Sequence, residues 1–391
     1  MKNVLWLASW YPNRMDKYDG DFIQRHARAV SLYCNVYLVY VVKCKNKYDK
    51  TFVDKKVTGN LTELTICYRS FKTGFKLLDR FISQLKYKSL YKKAIYDYIN
   101  VNGKPQLMHV HVAMKAGLVA LWAFNKWQIP FIVSEHWTGY LSEADIGIDD
   151  FSSLYLKKLR QILVKASIVT VVSDHLGKAI RDHLPFVKYR VVPNVVDTDI
   201  FFPIQKQVSD RFKIIHASNM NYQKNTKDIL QALQILKQKE PDFQMQLFGR
   251  AEPVIQQLIL KLGLQTNIVI KGELPQTELA KAMQQADVLI LYSRFETFGC
   301  VLIEANACGI PVIVSDIKVF HELVEENVNG IFVKTEDPVA LANAIFGLTT
   351  LTGDSDHSSI AAKTAEKYCF STVGKQFQKI YSEIGDRLEK L

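Results

Sequence analysis

Short apolar runs recur along the chain, and most are followed by a stretch whose apolar positions fall at helical spacing. The runs at residues 4–9, 36–42, 107–110, 131–134, 168–172 and 189–192 are predicted strands of a first half. Those at 212–217, 244–248, 268–271, 288–292, 311–315 and 330–333 are predicted strands of a second. Near-continuous Val, Ile and Leu runs suit strands covered on both faces, as in a parallel sheet. Helical patterns at 22–33, 116–127, 227–237 and 277–285 supply the crossovers. The alternation predicts an α/β chain of two Rossmann-like, doubly wound domains. The junction is expected near Pro193-Asn194-Val195-Val196-Asp197, where a strand runs into a proline-containing turn. Ligands of open α/β sheets bind beyond the carboxyl ends of the strands, so two such domains facing across a cleft would place a site there.

Charge changes this picture in one place. The formal net charge is +11, and residues 43–104 hold fifteen basic against five acidic residues, a net of +10. No recognisable nucleic-acid module accompanies them, so nucleic acid is not an expected partner. Residues 71–98 mix Phe71, Phe75, Leu78, Phe81, Ile82 and Leu85 with Lys72, Lys76, Arg80, Lys86, Lys88, Lys92 and Lys93. Two readings stand: a helix lying on an anionic membrane surface, or an amphipathic helix packed on its own domain with solvated lysines outside. The six cysteines form no C-x-x-C pair and are expected to be reduced, with neither a disulfide framework nor a zinc site. The first apolar run is too short for a secretion signal and leads into Trp10-Tyr11-Pro12 rather than a small-residue cleavage site. No apolar stretch approaches a membrane span. The expected location is the cytoplasm, with the inner membrane face as a peripheral site if the basic segment docks there.

The densest chemistry lies in residues 286–313. A strand ends near Tyr292, a loop carries Glu296, and a helix begins near Phe298 or Gly299 and stops at Gly309, with Pro311 beyond. The free N–H groups and positive dipole end of that helix suit a phosphate, and Gly299 lets a ligand approach the backbone. Glu304 follows Glu296 by eight residues, roughly 12 Å if all were helical. One carboxylate could therefore sit on each side of a diphosphate, Glu296 on hexose hydroxyls and Glu304 on a ribose diol. Taken singly, Glu296 would be read as a helix cap and Glu304 as solvated. Their bracketing of a strand–glycine–helix unit favours the binding role.

This stretch resembles the E-x7-E signature of the retaining glycosyltransferases of family 4, which have the GT-B fold. Other segments agree in order. Ala166-Ser167-Ile168-Val169-Thr170-Val171-Val172-Ser173 resembles a family strand, and Pro193-Asn194-Val195-Val196-Asp197 resembles its hinge, with Val195 in place of glycine. Gly20-Asp21-Phe22-Ile23-Gln24-Arg25-His26-Ala27 resembles the first glycine loop and helix. The resemblance implies an acceptor-side domain over residues 1–200, a nucleotide-sugar domain over 201–370, and a final helix over 371–391 returning to the first domain. It implies that Glu296 contacts the donor sugar, that Phe298, Gly299 and Cys300 meet sugar or diphosphate through backbone amides, and that Glu304 holds the ribose. The family lysine that neutralises the diphosphate falls on Lys224.

The chain also departs from the pattern. An arginine usual a few residues before that lysine is missing, and Asn219 and Asn221 stand there instead. Arg250 and Arg294 are the candidate substitutes. His136, after the strand at 131–134, matches a family histidine close to the reacting sugar; His109 and His111 are read as structural, and His216 is left undecided. Trp137 and Tyr140 either stack on an acceptor sugar or pack the cleft. No Asp-x-Asp pair stands where it would hold a metal against a diphosphate, so neither a metal nor a cofactor is expected. The implied reaction moves a hexosyl unit from a nucleotide-diphosphate sugar to a saccharide or lipid-linked saccharide, with retention. Its competitors are a GT-B epimerase or hydrolase and a catalytically weak nucleotide-sugar-binding protein. A nicotinamide dehydrogenase is disfavoured, because Ser9-Trp10-Tyr11-Pro12 replaces a G-x-G-x-x-G loop.

Overall fold

The computed structural model describes residues 1–44, 51–70, 73–206, 209, 211–239, 242–350 and 357–388. Phe71 and Lys72 of the basic stretch lie outside the described residues. Two compact units divide the chain: Met1–Val195 with Phe370–Leu391, and Val196–Cys369.

The first unit runs β1 (Lys2–Ala8), α1 (Asp21–Ser31), β2 (Cys34–Lys43), β3 (Phe52–Thr58), β4 (Leu61–Tyr68), α2 (Lys76–Asn102), β5 (Leu107–His111), α3 (Gly117–Trp127), β6 (Phe131–Glu135), α4 (Ser153–Lys165), β7 (Val169–Val171), α5 (Asp174–His183) and β8 (Tyr189–Val191). Its sheet has the order β3-β4-β2-β1-β5-β6-β7-β8. All neighbours are parallel except β3 and β4. Val4 to Ala8 of β1 are fully buried, as a central strand with helices over both faces requires. Burial of each large side chain there contributes roughly 1.5–3 kcal/mol.

Two strands escaped the sequence reading. The β3–β4 hairpin lies within the segment read for its charge, and lysines on the exposed edge strand β3 hide an alternation that the burial of β4 makes plain. The same hairpin corrects the reading of the cysteines. β4 pairs with β2 in a register that sets Lys43 against Tyr68, and Cys44 is joined to Cys67 as a disulfide. Adjacent strands brought these sulfurs together, which spacing along the chain did not reveal.

The second unit runs β9 (Phe212–Ala217), α6 (Thr226–Gln238), β10 (Phe243–Phe248), α7 (Pro253–Lys261), β11 (Ile268–Gly272), α8 (Gln276–Gln284), β12 (Val288–Leu291), α9 (Cys300–Ala307), β13 (Val312–Ser315), β14 (Gly330–Val333), α10 (Pro338–Thr350) and α11 (His357–Tyr368). Its all-parallel sheet has the order β11-β10-β9-β12-β13-β14. Counted within the unit this is 3-2-1-4-5-6, the doubly wound order with its switch point between first and fourth strands. The last helix, α12 (Phe370–Leu388), belongs to the first unit, where Val373, Phe377, Ile380, Tyr381 and Ile384 join Ala27 and Val30 of α1 in one core.

The basic helix divides in two. Along α2, Tyr91, Ala94, Ile95 and Tyr98 are buried against the sheet. Its first turns, and the residue before them, leave Phe75 73%, Leu77 82% and Phe81 58% exposed. The packed reading fits only the second half. Among the described residues, no helix is long and apolar enough to cross a membrane.

Candidate functional site

In the second unit the chain leaves β9 toward β10 on one side and returns through β12 on the other, so the loops after β9 and β12 part at the switch point. A buried histidine braces the first loop. His216 Nδ1–H donates to the Ile290 carbonyl at 2.8 Å, and its Nε2 accepts from the Ser218 hydroxyl at 2.7 Å. The Ser218 oxygen in turn accepts from the Met220 N–H at 3.0 Å. Burial pushes the imidazole down to about 4, so it is neutral and its tautomer is set by a carbonyl that can only accept. The undecided His216 is thus a loop brace.

Beyond this brace a short turn, Tyr222–Lys224, carries the lysine. The loop after β12 is tied to it from the other side. Arg294 donates its backbone N–H to the Gln223 carbonyl at 2.8 Å and a guanidinium N–H to the Tyr222 carbonyl at 2.7 Å. Its guanidinium also lies over the Tyr222 ring. Between the clamped loops, Lys224 Nζ forms an ion pair with Glu296 Oε1. Ser293 Oγ donates to the same carboxylate oxygen at 3.0 Å, and Gln223 Nε2 donates to Oε2 at 3.2 Å. Glu296 is 5% exposed, so its orientation is fixed by three donors on two loops. Gln223 and Ser293 were not singled out from the sequence. Their proximity in number to Lys224 and Glu296 was the available signal.

Gly299 follows, at φ 98° and ψ 62°, and caps the start of α9. A side chain there would be strained, and its Cβ would stand 3.0 Å from the Phe320 ring. Phe298 is buried with its ring edge-on to Tyr368. Cys300 is the first helical residue and Glu304 stands four residues on, so the two share a helix face. Glu304 is 5% exposed. Burial, with the Glu304 charge second, pushes the Cys308 thiol up to about 12.

The two candidate arginines differ. Arg294 is engaged with the Tyr222 carbonyl and with Glu336, at 3.3 Å. Arg250 is exposed on the loop after β10, where Ser218 N–H donates to the Phe248 carbonyl, and it makes no ion pair among the described residues. Asn219 is exposed on the neighbouring loop.

In the first unit, Gly20 adopts φ 61° at the start of α1. His136 follows β6 and packs its ring against Phe22 at 4.7 Å. His111 stacks on it at 5.9 Å and His26 lies 5.7 Å away. Ring nitrogens of His26, His111 and His136 all lie within 4.8 Å of one another, the one group among the described residues where three such side chains could reach a metal ion together. In the sequence His26 stands out only as part of the first helix. Its Nε2–H donates to the Pro193 carbonyl at 2.9 Å. His109 is held at both nitrogens, by the Tyr381 and Ser134 hydroxyls. Burial drives all four imidazoles down, His26 to about 4, and keeps them neutral.

Two α/β units built on largely parallel sheets, with a lysine and a carboxylate meeting at the switch point of the second, are what the chain presents for comparison. Residues 197–364 match the family described as glycosyl transferases group 1, and residues 63–200 match glycosyltransferase family 4. A D-inositol 3-phosphate glycosyltransferase of Thermobispora bispora is 22% identical over 319 residues, covering 74% of this chain and 73% of that one. The sucrose-phosphate synthase of Thermosynechococcus elongatus superposes with a TM-score of 0.76 at 17% identity, over 98% of this chain and 99% of that one. Alr3699/HepE of Anabaena, solved with UDP and glucose, gives a TM-score of 0.70 at 18% identity, over 98% of this chain and 100% of that one. The chain has the GT-B fold, and the matches support a glycosyltransferase similar to family 4.

Proposed function

We propose that the protein is a retaining glycosyltransferase that moves a hexosyl unit from a nucleotide-diphosphate sugar to a saccharide or lipid-linked saccharide. The observation that carries this reading is the meeting of Lys224 and Glu296 at the switch point, beside the glycine-capped start of α9. In this reading Glu296 binds the hexose hydroxyls and Glu304 the ribose diol. The N–H groups of Phe298, Gly299 and Cys300 take the sugar or the diphosphate. Lys224 neutralises the diphosphate as it departs, and Arg250, which has no ion pair among the described residues, takes the part of the missing arginine. Asn219 and Gly20 take part in substrate binding, and His136 serves the reacting sugar. The bond from the anomeric carbon to the diphosphate breaks as the acceptor oxygen adds on the same face, and the departing oxygen takes the acceptor's proton. The enzyme's part is positioning and leaving-group stabilisation, with no metal or cofactor. A structural neighbour solved with UDP and glucose supports such a donor.

A thermal-shift screen of sugar nucleotides tests the donor site. One nucleotide-diphosphate hexose should stabilise the protein, and Glu304→Ala should weaken its binding roughly 10- to 100-fold, the cost of a charge-assisted pair of hydrogen bonds. Unchanged affinity in Glu304→Ala would remove the ribose contact and with it the reading of the second carboxylate.

The start of α2 supports a place for the acceptor. Phe75, Leu77 and Phe81 project into solvent among Lys76 and Arg80, the composition of a helix that beds into an anionic interface. We infer that the protein docks there and meets a lipid-linked acceptor in a path of surface polysaccharide or glycoconjugate synthesis. Sedimentation with phosphatidylglycerol vesicles should fall at least tenfold in a Phe75→Ser, Leu77→Ser, Phe81→Ser variant and weaken with salt. Equal binding by the variant would leave a soluble acceptor as the reading.

A further inference from the structure

The first unit has a switch point of its own. Its chain leaves β1 toward β2 and returns through β5 on the other side, and just beyond these strands lies a cavity of about 300 Å³. Trp10 enters it from the loop after β1, Trp137 and Tyr140 from the segment after β6, and Phe151 and Tyr155 from the start of α4 and the residue before its cap. Tyr140 is buried while Trp10, Trp137, Phe151 and Tyr155 are partly open to solvent. The rings hold one another. Trp137 meets Tyr140 and Phe151 edge-on at 5.3 and 5.5 Å, and Phe151 stacks on Tyr155 at 4.3 Å. The indole of Trp137 lies over Gly139, where even a Cβ would come within 2.1 Å of it.

One carboxyl sits among these rings. Glu135 is 1% exposed, and its Oε1 accepts from the Ala113 N–H at 2.8 Å and from the Tyr140 hydroxyl at 3.3 Å. Its Oε2 accepts from the His136 N–H at 3.3 Å. Among the described residues, no lysine, arginine or histidine lines the cavity. Burial pushes the Glu135 carboxyl up to about 7 in spite of these hydrogen bonds, which reports an environment hostile to a second negative charge.

We propose that this cavity is the subsite for the acceptor, resting on the glycosyltransferase reading above, and that it takes a single uncharged pyranose ring, rejecting uronates and sugar phosphates. Aromatic walls offer flat apolar surface to the C–H face of a pyranose, and a carboxyl accepts from its hydroxyls. A purely hydrocarbon ligand would leave that carboxyl against alkane. An anionic ligand would meet a carboxylate with no cation to offset either charge. The volume lies at the small end of ligand pockets, enough for one ring rather than an extended chain.

Saturation-transfer NMR on the full chain at pH 8, where Glu135 is ionised, tests this. The probes are the methyl pyranosides of glucose, galactose and mannose on one side, and glucuronate, glucose 6-phosphate and inositol phosphate on the other. At least one neutral pyranoside should show saturable transfer that weakens tenfold or more in Trp137→Ala, and the anions should show none. Phe151→Leu supplies the same reading with a smaller cavity change should Trp137→Ala fail to fold. Anions binding as tightly as the neutral ring, or wild-type affinity in both variants, would overturn the proposal. Thermal shift by a sugar nucleotide, read on the same sample, separates the two ideas. Donor stabilisation without pyranoside binding sinks the subsite alone, whereas pyranoside binding without donor stabilisation upholds a neutral-sugar pocket and sinks the donor reading.

Discussion

Replacing Lys224 with Ala should lower kcat/KM for the sugar nucleotide roughly 10²- to 10³-fold, with most of the loss in kcat. The size follows from removing one preorganised donor aimed at charge that develops on a leaving group, about 2.7–4 kcal/mol. The kcat-weighted split follows from the proposed reaction, in which the diphosphate would gain charge as its bond to the sugar breaks and the lysine would bind the transition state more tightly than the ground state. The ion pair adds a second consequence. Lys224 is one of three donors to a Glu296 carboxylate whose side chain is 7% exposed, and its removal leaves a buried charge with two neutral donors. Glu296→Gln in the Lys224→Ala background should therefore recover part of the lost stability, measured by urea unfolding. It should recover none of the lost activity if Glu296 grips hexose hydroxyls. Steady-state kinetics and denaturation of the two single variants and the double variant form a cycle that separates the roles. A kcat loss below threefold in Lys224→Ala would show that the leaving group is stabilised elsewhere, with Arg250 the first residue to examine.

The strands of both sheets were legible because a parallel strand, covered on two faces, writes itself as an unbroken apolar run. β9 and β14 fall on the residues that the pattern marks, and most other strands differ by one or two at an end. The β3–β4 hairpin was not legible by that rule. An edge strand needs only one apolar face, and Lys55 and Lys56 there look like part of a charged tract. Glu296 and Glu304, which the proposal assigns to the donor, stand out in the sequence by their spacing around a glycine. What the pattern could not supply is the pairing across sequence: Arg294 reads as a phosphate ligand from the sequence, yet its guanidinium is engaged by the Tyr222 carbonyl and Glu336. The same holds for the imidazoles. His109 and His111 are two residues apart on β5, but one has both nitrogens satisfied by hydroxyls while the other stacks on His136. Which fate each meets depends on what lies beside it, a hydroxyl from α12 and one from β6 in the first case and a ring from the segment after β6 in the second.

That imidazole cluster makes acid stability the second large effect. His26, His109, His111 and His136 are buried with their titration driven below the usual histidine value, as is His216 in the second unit. A group whose native pKa is depressed leaves the folded chain at full stability above its unfolded value, near 6.5. Stability is then lost as pH falls toward the native value, because only the unfolded chain binds the proton. For a native value of about 4, as at His26, the loss by pH 5 is about 2 kcal/mol per imidazole. Glu135 acts in the opposite sense. Its native carboxyl, raised to about 7, keeps a proton that the unfolded chain gives up above 4.5, and this returns between 2 and 3 kcal/mol, as a rough figure, over the same interval. Four imidazoles outweigh one carboxyl in the first unit, so its melting temperature should fall by roughly 10 °C or more between pH 7 and pH 5. Scanning calorimetry at the two pH values measures this, and His111→Gln, whose amide cannot titrate, should show a smaller drop than the native chain. A melting temperature that holds steady or rises toward pH 5 would mean that the cluster accommodates a proton, and the neutral environment assigned here to His136 would then be wrong.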